Sequence, residues 1–221
     1  MTTTVASFPE LTRTDATVAM VTTWRVGDRD RQLTVAEAVA GAWRTRHWPS
    51  ADLLSYSVFG STRGDTLLHY SQWTTTDSAA VREQLRERWS EVNASVPGIE
   101  RLGGHQYWRY RSTQRRPRTS TPGCYVTVRA EFSRPDARRW ADGVFEASAL
   151  DPRPVPGLIG AHFHLSLDGR HMLNLAEWSD EQAHRRQVDE SGGPVRTATQ
   201  LFPGLTRFSF ERFELLHHLD G

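Results

Sequence analysis

The spacing of apolar residues in the first half of the chain predicts alternating strands and helices. Between Val18 and Val26 every second side chain falls on one face, Trp24 among them, which is the period of a strand. From Thr34, which resembles an N-cap, apolar residues recur three or four apart and predict a helix to about residue 46. The later elements are predicted as strands 53–60 and 66–73, a helix from Asp77 or Ser78 to about 93, and a strand over 105–111. The order is β-α-β-β-α-β, which is the ferredoxin-like arrangement.

The second half of the chain predicts the same order again. A strand over 125–132 is followed by a helix that starts at Pro135. Asp168 and Gly169 lie between two strand patterns and give a strong hairpin-turn signal. The elements around and after this turn are predicted as strands 158–167 and 171–178, a helix from 181 to 191, and a closing strand over 206–216.

The two halves also repeat each other in sequence. Leu54–Phe59 and Leu68–Trp73 are echoed by Ile159–His164 and Leu173–Trp178, at an offset of about 105 residues, which is roughly the size of one small domain. This predicts an α+β chain of two tandem ferredoxin-like domains that pair as a pseudo-dimer of the dimeric α/β-barrel type. The predicted boundaries are a flexible tail over 1–16, a first domain over 17–111, a linker over 112–122 and a second domain over 123–221.

Composition narrows the class of protein. Among 221 residues, 27 Lys and Arg balance 26 Asp and Glu, so the net charge of +1 gives no nucleic-acid signature. The lone Cys124 fits a reducing compartment, and no stretch approaches the roughly 18 apolar residues of a membrane span. The start of the chain lacks the features of a signal peptide. We therefore expect a cytoplasmic protein without a membrane or nucleic-acid partner, in which His217 and His218 belong to a solvated tail.

Alternation along the strands suggests where a site could lie. In a ferredoxin-like unit both helices cover one face of the sheet, and the other face must be covered by something else. Grouping by polarity puts His162, His164, Asn174 and Trp178 together on that bare face. The corresponding face of the first unit is predicted to carry Ser55, Ser57, His69, Ser71 and Trp73.

Other interpretations of these residues stay open. The tryptophans can simply fill the core, and Asn174 can serve only to satisfy backbone groups. His162 and His164 could form a metal pair, but no third ligand lies on the same inferred face, so no metal is expected. The chain also lacks a glycine-rich phosphate loop, a Walker motif and a CxxC pair, so we expect no cofactor.

Residues 156–184 resemble the antibiotic biosynthesis monooxygenase family, most of all the small quinone-forming oxygenases of aromatic polyketide pathways. The similarity lies in 156–169, in Asn174–Trp178 and in 181–184. It implies a barrel of two such domains and oxygenation of a phenolic substrate without metal, flavin or haem. Asn174 and Trp178 match residues that line the family's pocket.

The chain departs from this family at several positions. His184 stands where quinone-forming members often have Tyr, and Arg196 is the candidate for an expected pocket Arg. In the first unit, His69 replaces the Asn and Ala79 the Tyr, which indicates a lost or altered site there.

The resemblance implies a cofactor-independent monooxygenase that oxidises a phenolic or anthrone-type aromatic polyketide to a quinone with O₂. His162 or His164 is predicted as the base, Asn174 as the group that stabilises the oxyanion, and Trp178 as the stacking surface. Substrate contacts are predicted from His184, Arg196, His69, Trp73, Ser57 and Trp24. Two alternatives remain: a non-oxidative polyketide cyclase or binding protein of the same fold, and, third, a haem-binding or haem-degrading barrel. A homodimer is optional, because the pseudo-dimer lies within one chain.

Overall fold

The computed structural model describes residues 8–44, 47–114, 120–150, 155–190 and 201–221. Over these residues the fold is α+β, with four helices and a mainly antiparallel sheet. In the first half the elements are β1 (Val18–Arg25), α1 (Arg29–Arg44), β2 (Leu53–Ser61), β3 (Thr66–Trp73), α2 (Ser78–Ser95) and β4 (Glu100–Gln114). In the second half they are β5 (Cys124–Phe132), α3 (Ala137–Leu150), β6 (Leu158–Ser166), β7 (His171–Trp178), α4 (Glu181–Glu190) and β8 (Leu205–Asp220). The predicted β-α-β-β-α-β order is thus confirmed in both halves.

Helix starts follow the capping chemistry of the sequence. Asp77 caps α2 as predicted, because its carboxylate accepts hydrogen bonds from the backbone N–H groups of Ala79 and Ala80. The predicted start of α1 at Thr34 is wrong. Asp28 accepts from the backbone N–H of Arg31 at 2.9 Å, so the helix begins at Arg29. Thr34 lies inside the helix, where its hydroxyl donates back to the carbonyl of Asp30.

The chain divides into two compact units that cut across the predicted boundaries. Unit 1 contains residues up to Gln106 together with Phe213–Gly221, and unit 2 contains Tyr107–Arg212. Both β4 and β8 therefore contribute residues to each unit. In unit 1, β3 pairs with β1 and β2, and β2 pairs with the end of β8. In unit 2, β7 pairs with β5 and β6, and β6 pairs with the end of β4.

Parts of the predicted tail and linker are ordered. Leu11 is buried, and the carbonyl of Glu10 accepts a hydrogen bond from the Gln72 side chain. The backbone N–H of Thr17 donates to the carbonyl of Trp73. Ser112–Gln114, the start of the predicted linker, forms the end of β4. Residues 115–119 of that linker lie outside the described residues.

Each sheet buries an apolar face against the helices of its own unit. In unit 1, Tyr56, Val58 and Trp73 pack with the apolar sides of α1 and α2. In unit 2, residues of β5, β6 and β7 pack with Trp140 and Val144 of α3. Within the described ranges, no helix is long and apolar enough to cross a membrane.

Candidate functional site

The register of the β6–β7 hairpin decides which side chains share a face. Phe163 is opposite Asn174, and Ala161 is opposite Ala176. Directly opposed residues of an antiparallel pair point to the same side of the sheet. The ring of Phe163 lies 4.6 Å from that of Phe145 in α3, so this side faces the helix. Asn174 therefore lies on the helix-covered face of unit 2.

Trp178 lies on the same face and belongs to the apolar cluster that contains Trp140 of α3. His162 and His164 point the other way, because they are opposite Leu175 and Leu173. The prediction that the two histidines, Asn174 and Trp178 share one bare face is wrong. The prediction failed because grouping by polarity ignored the register of the hairpin. A one-residue change in pairing moves all the side chains of a strand to the other face.

The predicted group in unit 1 is divided in the same way. His69 is opposite Val58, and Ser71 is opposite Tyr56, so both lie with the apolar cluster that packs on the helices. Trp73 belongs to that cluster as well. Ser55 and Ser57 alternate with Tyr56, so they lie on the opposite face, and both are buried. The bare-face assignment thus holds for the two serines and fails for His69, Ser71 and Trp73.

The amide of Asn174 is oriented by the neighbouring strand. The backbone N–H of His162 donates to Asn174 Oδ1 at 3.1 Å. Since the oxygen of the amide is engaged, the Nδ2 end keeps the N–H donors. The Asn174 side chain is partly exposed, so these donors lie on the helix-covered face without being sealed in the core.

The indole N–H of Trp178 is the most informative polar atom on this face. Trp178 is 5% exposed, and its Nε1 has no hydrogen-bond partner in the described part of the chain. A buried donor without an acceptor is destabilising by about 1–3 kcal/mol. The ring meets that of His184 edge to face, with centroids 4.9 Å apart. The unsatisfied donor thus lies beside the residue that stands where the resembling family has Tyr.

His184 is held as a neutral donor. Arg212 Nε donates to His184 Nδ1 at 2.8 Å. A guanidinium has no acceptor atom, so Nδ1 must supply its lone pair and the proton of the neutral imidazole lies on Nε2. Burial, together with the positive charge of Arg212, lowers the pKa of His184 to about 4. At neutral pH, Nε2 of this ring can only donate a hydrogen bond.

Small side chains separate the two ends of this face in unit 2. Ala176 lies between Asn174 and Trp178 on β7, and Ala161 is opposite it on β6. About 105 residues earlier, at the position of Ala161, unit 1 has the fully buried Tyr56. At this position the side chain over the sheet is therefore smaller in unit 2 than in unit 1.

The corresponding place in unit 1 is filled by aromatic rings. Tyr56 Oη lies 2.9 Å from His69 Nδ1, and the ring of Trp24 packs against that of His69 with centroids 4.1 Å apart and a tilt of 49°. Arg101 lies over the rings of Trp24 and Trp89. Burial and the charge of Arg101 lower the pKa of His69 to about 3. Large side chains and a neutral imidazole thus occupy the position where unit 2 has Asn174 and alanines.

On the opposite face of unit 2, His162 belongs to a closed network. Its Nδ1 lies 3.0 Å from Ser112 Oγ, and its Nε2 lies 3.0 Å from Glu177 Oε2. Both ring nitrogens are therefore occupied. Gly160 makes this possible, because a Cβ there would approach His162 Nε2 and Glu177 Oε2 to 3.1 and 3.2 Å.

His164, on the same face, is bonded to the chain itself. Its Nδ1 lies 2.8 Å from the carbonyl oxygen of His162, and the side chain is buried. Burial, with a smaller contribution from His162, lowers the pKa of His164 to about 3. Such an imidazole is a poor base at neutral pH, in contrast to the predicted role.

A related pair in unit 1 corrects the prediction for the C-terminus. Ser57 Oγ lies 2.8 Å from His218 Nδ1, and His218 Nε2 lies 3.2 Å from Asp220. The side chain of His218 is 2% exposed. The predicted solvated tail is thus the end of β8, where alternation places His218 opposite Ser57 of β2.

Sequence reasoning missed Arg212 and Glu177. Nothing in the sequence marks Arg212, because its partner His184 lies 28 residues away on another element. Glu177 could have been found from the turn. If the hairpin is symmetric about Asp168 and Gly169, the resulting register puts Glu177 and His162 on the same face. Arg196 lies outside the described residues. Within the residues described, no cluster of His, Cys, Asp or Glu could hold a metal ion.

A groove of about 540 Å³ lies on an exposed side of α3, away from the residues discussed above. Its lining residues are Pro135, Arg138, Arg139, Asp142, Gly143, Glu146 and Phe202. None of the predicted site residues lines it.

Similarity to solved structures agrees with the fold. An anthrone oxidase-like protein superposes with a TM-score of 0.72 at 13% identity, over 94% of each chain. A protein from Lactobacillus acidophilus NCFM that is named as a monooxygenase superposes with a TM-score of 0.58 at 6% identity, over 92% of this chain and 96% of that one. A ferredoxin-fold protein from Listeria monocytogenes 4b F2365, described as related to antibiotic biosynthesis monooxygenases, gives 0.52 at 10% identity, over 91% and 96%. No family model matches the chain, and no curated protein matches it. At these identities the similarity establishes the fold.

Proposed function

We propose that the protein is a cofactor-independent monooxygenase that oxidises a phenolic or anthrone-type aromatic polyketide to a quinone. The proposed site lies on the helix-covered face of unit 2, between Asn174 and Trp178, with His184 beside it. The partners are the small aromatic substrate and O₂. The named activities of proteins with this fold support the reaction class.

The unpartnered indole N–H of Trp178 carries this proposal. A buried donor that has no acceptor among the described residues gains a hydrogen bond when a ligand supplies one. It lies on one face with Asn174, whose amide is turned so that Nδ2 donates, and against His184, whose Nε2 donates. Trp178 and His184, whose rings are in contact, are suited to one oxygen that carries negative charge, and Asn174, four residues away along β7, is suited to a second oxygen of the same ring system.

The chemistry follows from such a donor set. An ionised phenol or anthrone is electron-rich enough to pass an electron to O₂, and the two radicals then combine at the ring carbon. Collapse of the resulting peroxide converts the CH₂ carbon to a carbonyl, with one oxygen atom retained and the other released as water. Donors that stabilise the anion contribute most when water is excluded from the site. Trp178 and the surrounding apolar residues offer a flat surface for a polycyclic ring.

The proposed site is confined to unit 2. In unit 1, Tyr56, Trp24 and His69 fill the related position. We propose that unit 1 arose by duplication, pairs with unit 2 as a pseudo-dimer and has lost its own reaction.

Oxygen uptake tests the reaction directly. Purified protein, dialysed against a chelator, is mixed with 1,8-dihydroxyanthrone in an oxygen-electrode cell, and quinone formation is followed by absorbance. The expected result is protein-dependent uptake that the chelator does not reduce. Uptake no faster than in buffer, from protein shown to be folded, would contradict the proposal.

Two further arms separate the alternatives. A cyclase would convert its substrate under nitrogen, whereas the proposed oxygenase stops without O₂. Haem titration would give a new Soret band if the protein were a haem-binding barrel.

A further inference from the structure

The contact between His184 and Arg212 affects the protonation of the imidazole as well as the position of its ring. His184 Nδ1 can accept a proton only if the hydrogen bond from Arg212 Nε, 2.8 Å long, is broken. A protonated His184 would then stand beside a guanidinium, with two positive charges in contact. The pair therefore resists protonation of the imidazole on both geometric and electrostatic grounds.

The described surroundings of the pair keep Arg212 charged. On α4, Glu181 and Arg185 form an ion pair at 2.6 Å, so their effects on His184 largely oppose each other. Asp189 of α4 and Cys124 of β5 also act on Arg212 and favour its charged form. The ring of Phe210 contacts both partners, with centroids 5.6 Å from His184 and the guanidinium 5.3 Å away. A charged guanidinium thus lies next to a neutral imidazole at this end of the site.

We infer that Arg212 is a positioning residue that keeps His184 as a hydrogen-bond donor, so that the site selects the ionised form of a phenolic substrate. This inference rests on the proposed function and adds its substrate class. No side chain of the donor set removes the proton. The phenol loses it to water, and the site retains the anion through Trp178 Nε1, His184 Nε2 and Asn174 Nδ2.

Selection of an anion has a direct consequence for binding. A phenol that binds as its anion has a lower pKa in the complex than in water. Each pKa unit corresponds to a tenfold change in the ionisation equilibrium, or about 1.4 kcal/mol. At a pH above the pKa of the free phenol, a methyl ether of the same ring system, which cannot ionise, should bind at least about tenfold more weakly.

The experiment uses 1,8-dihydroxyanthraquinone, an unreactive phenol whose visible spectrum changes when it ionises. The dye is titrated with pH, free and bound to the full-length protein, and 1,8-dimethoxyanthraquinone serves as the non-ionisable probe. The wild-type protein is expected to lower the pKa of the dye by about one unit or more. Arg212→Met should abolish most of this shift, and Arg212→Lys, which keeps a charge and an N–H donor, should retain part of it.

Arg207→Met is the matched control. Arg207 lies on the same strand, has a side chain that is 71% exposed and forms a 3.7 Å ion pair with Glu131. Its loss therefore removes one positive charge at a position away from His184 and Trp178. This variant should keep the full shift. An unshifted dye pKa in the wild-type complex, or an equal response of the two Met variants, would overturn the inference.

Failure of the inference is distinguishable from failure of the proposed function. Oxygen uptake with the anthrone but no shift of the dye would leave the oxygenase in place and remove the role of Arg212. A shifted dye without oxygen uptake would leave an anion-binding site and remove the reaction. Circular dichroism of each variant establishes that it is folded.

Discussion

Hydrogen-bond direction is the property that distinguishes the residues on the helix-covered face of unit 2. The backbone of His162 occupies the acceptor of Asn174, and Arg212 occupies the acceptor of His184. Trp178 has a donor only, and it remains unpartnered among the residues described. The same tryptophan position in unit 1 is satisfied, because Trp73 Nε1 donates to Ser71 Oγ at 2.8 Å. The difference between the two tryptophans is therefore testable within one chain.

Trp178→Phe should reduce the rate of oxygen uptake by roughly 10²-fold, the loss typical of one donor to an oxyanion. Both Trp→Phe changes remove ring volume from a buried cluster, so each lowers the free energy of unfolding to some extent. Trp73→Phe is the internal control. It should destabilise the fold by about 1 kcal/mol more than Trp178→Phe, because it also loses the bond to Ser71, and it should leave the rate unchanged. Equal rates for Trp178→Phe and wild type would remove Trp178 from the site.

At the scale of single residues, the sequence identified most of the chemistry-bearing groups but not how they are grouped. Asn174 and Trp178 were identified from strand alternation and the family resemblance, and His184 from the resemblance alone. The structure brings the three together on one side of the sheet. His162 and His164 were grouped with them by polarity. Polarity could not show that both are satisfied, by Ser112, Glu177 and a backbone carbonyl, because those contacts depend on the register of three strands.

Hairpins and helix caps show where elements could be predicted. The strand β7 and the cap at Asp77 were predicted correctly, since local turn and capping chemistry is visible in the sequence. The start of α1 was missed because Asp28 competes with Thr34 for the cap. The position of the turn at Asp168–Gly169 also fixes the register of β6 and β7. That register places His162 and Asn174 on opposite faces of the sheet.

Gly169→Ala tests how strongly this turn fixes the hairpin. Gly169 has φ of 68°, a left-handed conformation, and a Cβ there would lie 3.1 Å from Pro135 Cβ. The substitution should lower the free energy of unfolding by about 1–2 kcal/mol, as measured by urea denaturation. Gly143→Ala, in α3 with open space at its Cβ, should instead raise it by up to about 1 kcal/mol. A neutral effect at Gly169 would show that the turn does not determine the register.

At the scale of the molecule, the two units have the same order of strands and helices but bury different side chains. Unit 1 places rings where unit 2 has Ala161, and each buries a histidine that burial holds neutral. The β-α-β-β-α-β order was predictable because periodicity is local. The division into units was not, because β4 and β8 each contribute to both.

Acid should destabilise the protein through these histidines. The pKa values of His69 and His164 are about 3 in the folded chain and about 6.5 when unfolded. Between these values the unfolded state binds more protons, so stability falls as the pH decreases from about 6.5. Between pH 7.5 and 5 the loss is about 2 kcal/mol for each of these histidines. Urea denaturation at pH 7.5, 6 and 5 measures it, and His164→Gln should reduce the slope without removing it, because His69 and His184 still contribute. A stability constant across this range would contradict the burial of both imidazoles in neutral form.

A crystal structure of the protein with 1,8-dihydroxyanthraquinone bound would test the location of the site most directly. The expected result is a phenolic oxygen within hydrogen-bond distance of Trp178 Nε1, with the ring lying over Ala176 and the oxygen within reach of His184 Nε2 or Asn174 Nδ2. Density for the ligand beside His162 and His164, on the opposite face of the sheet, or in unit 1 beside His69, would contradict it.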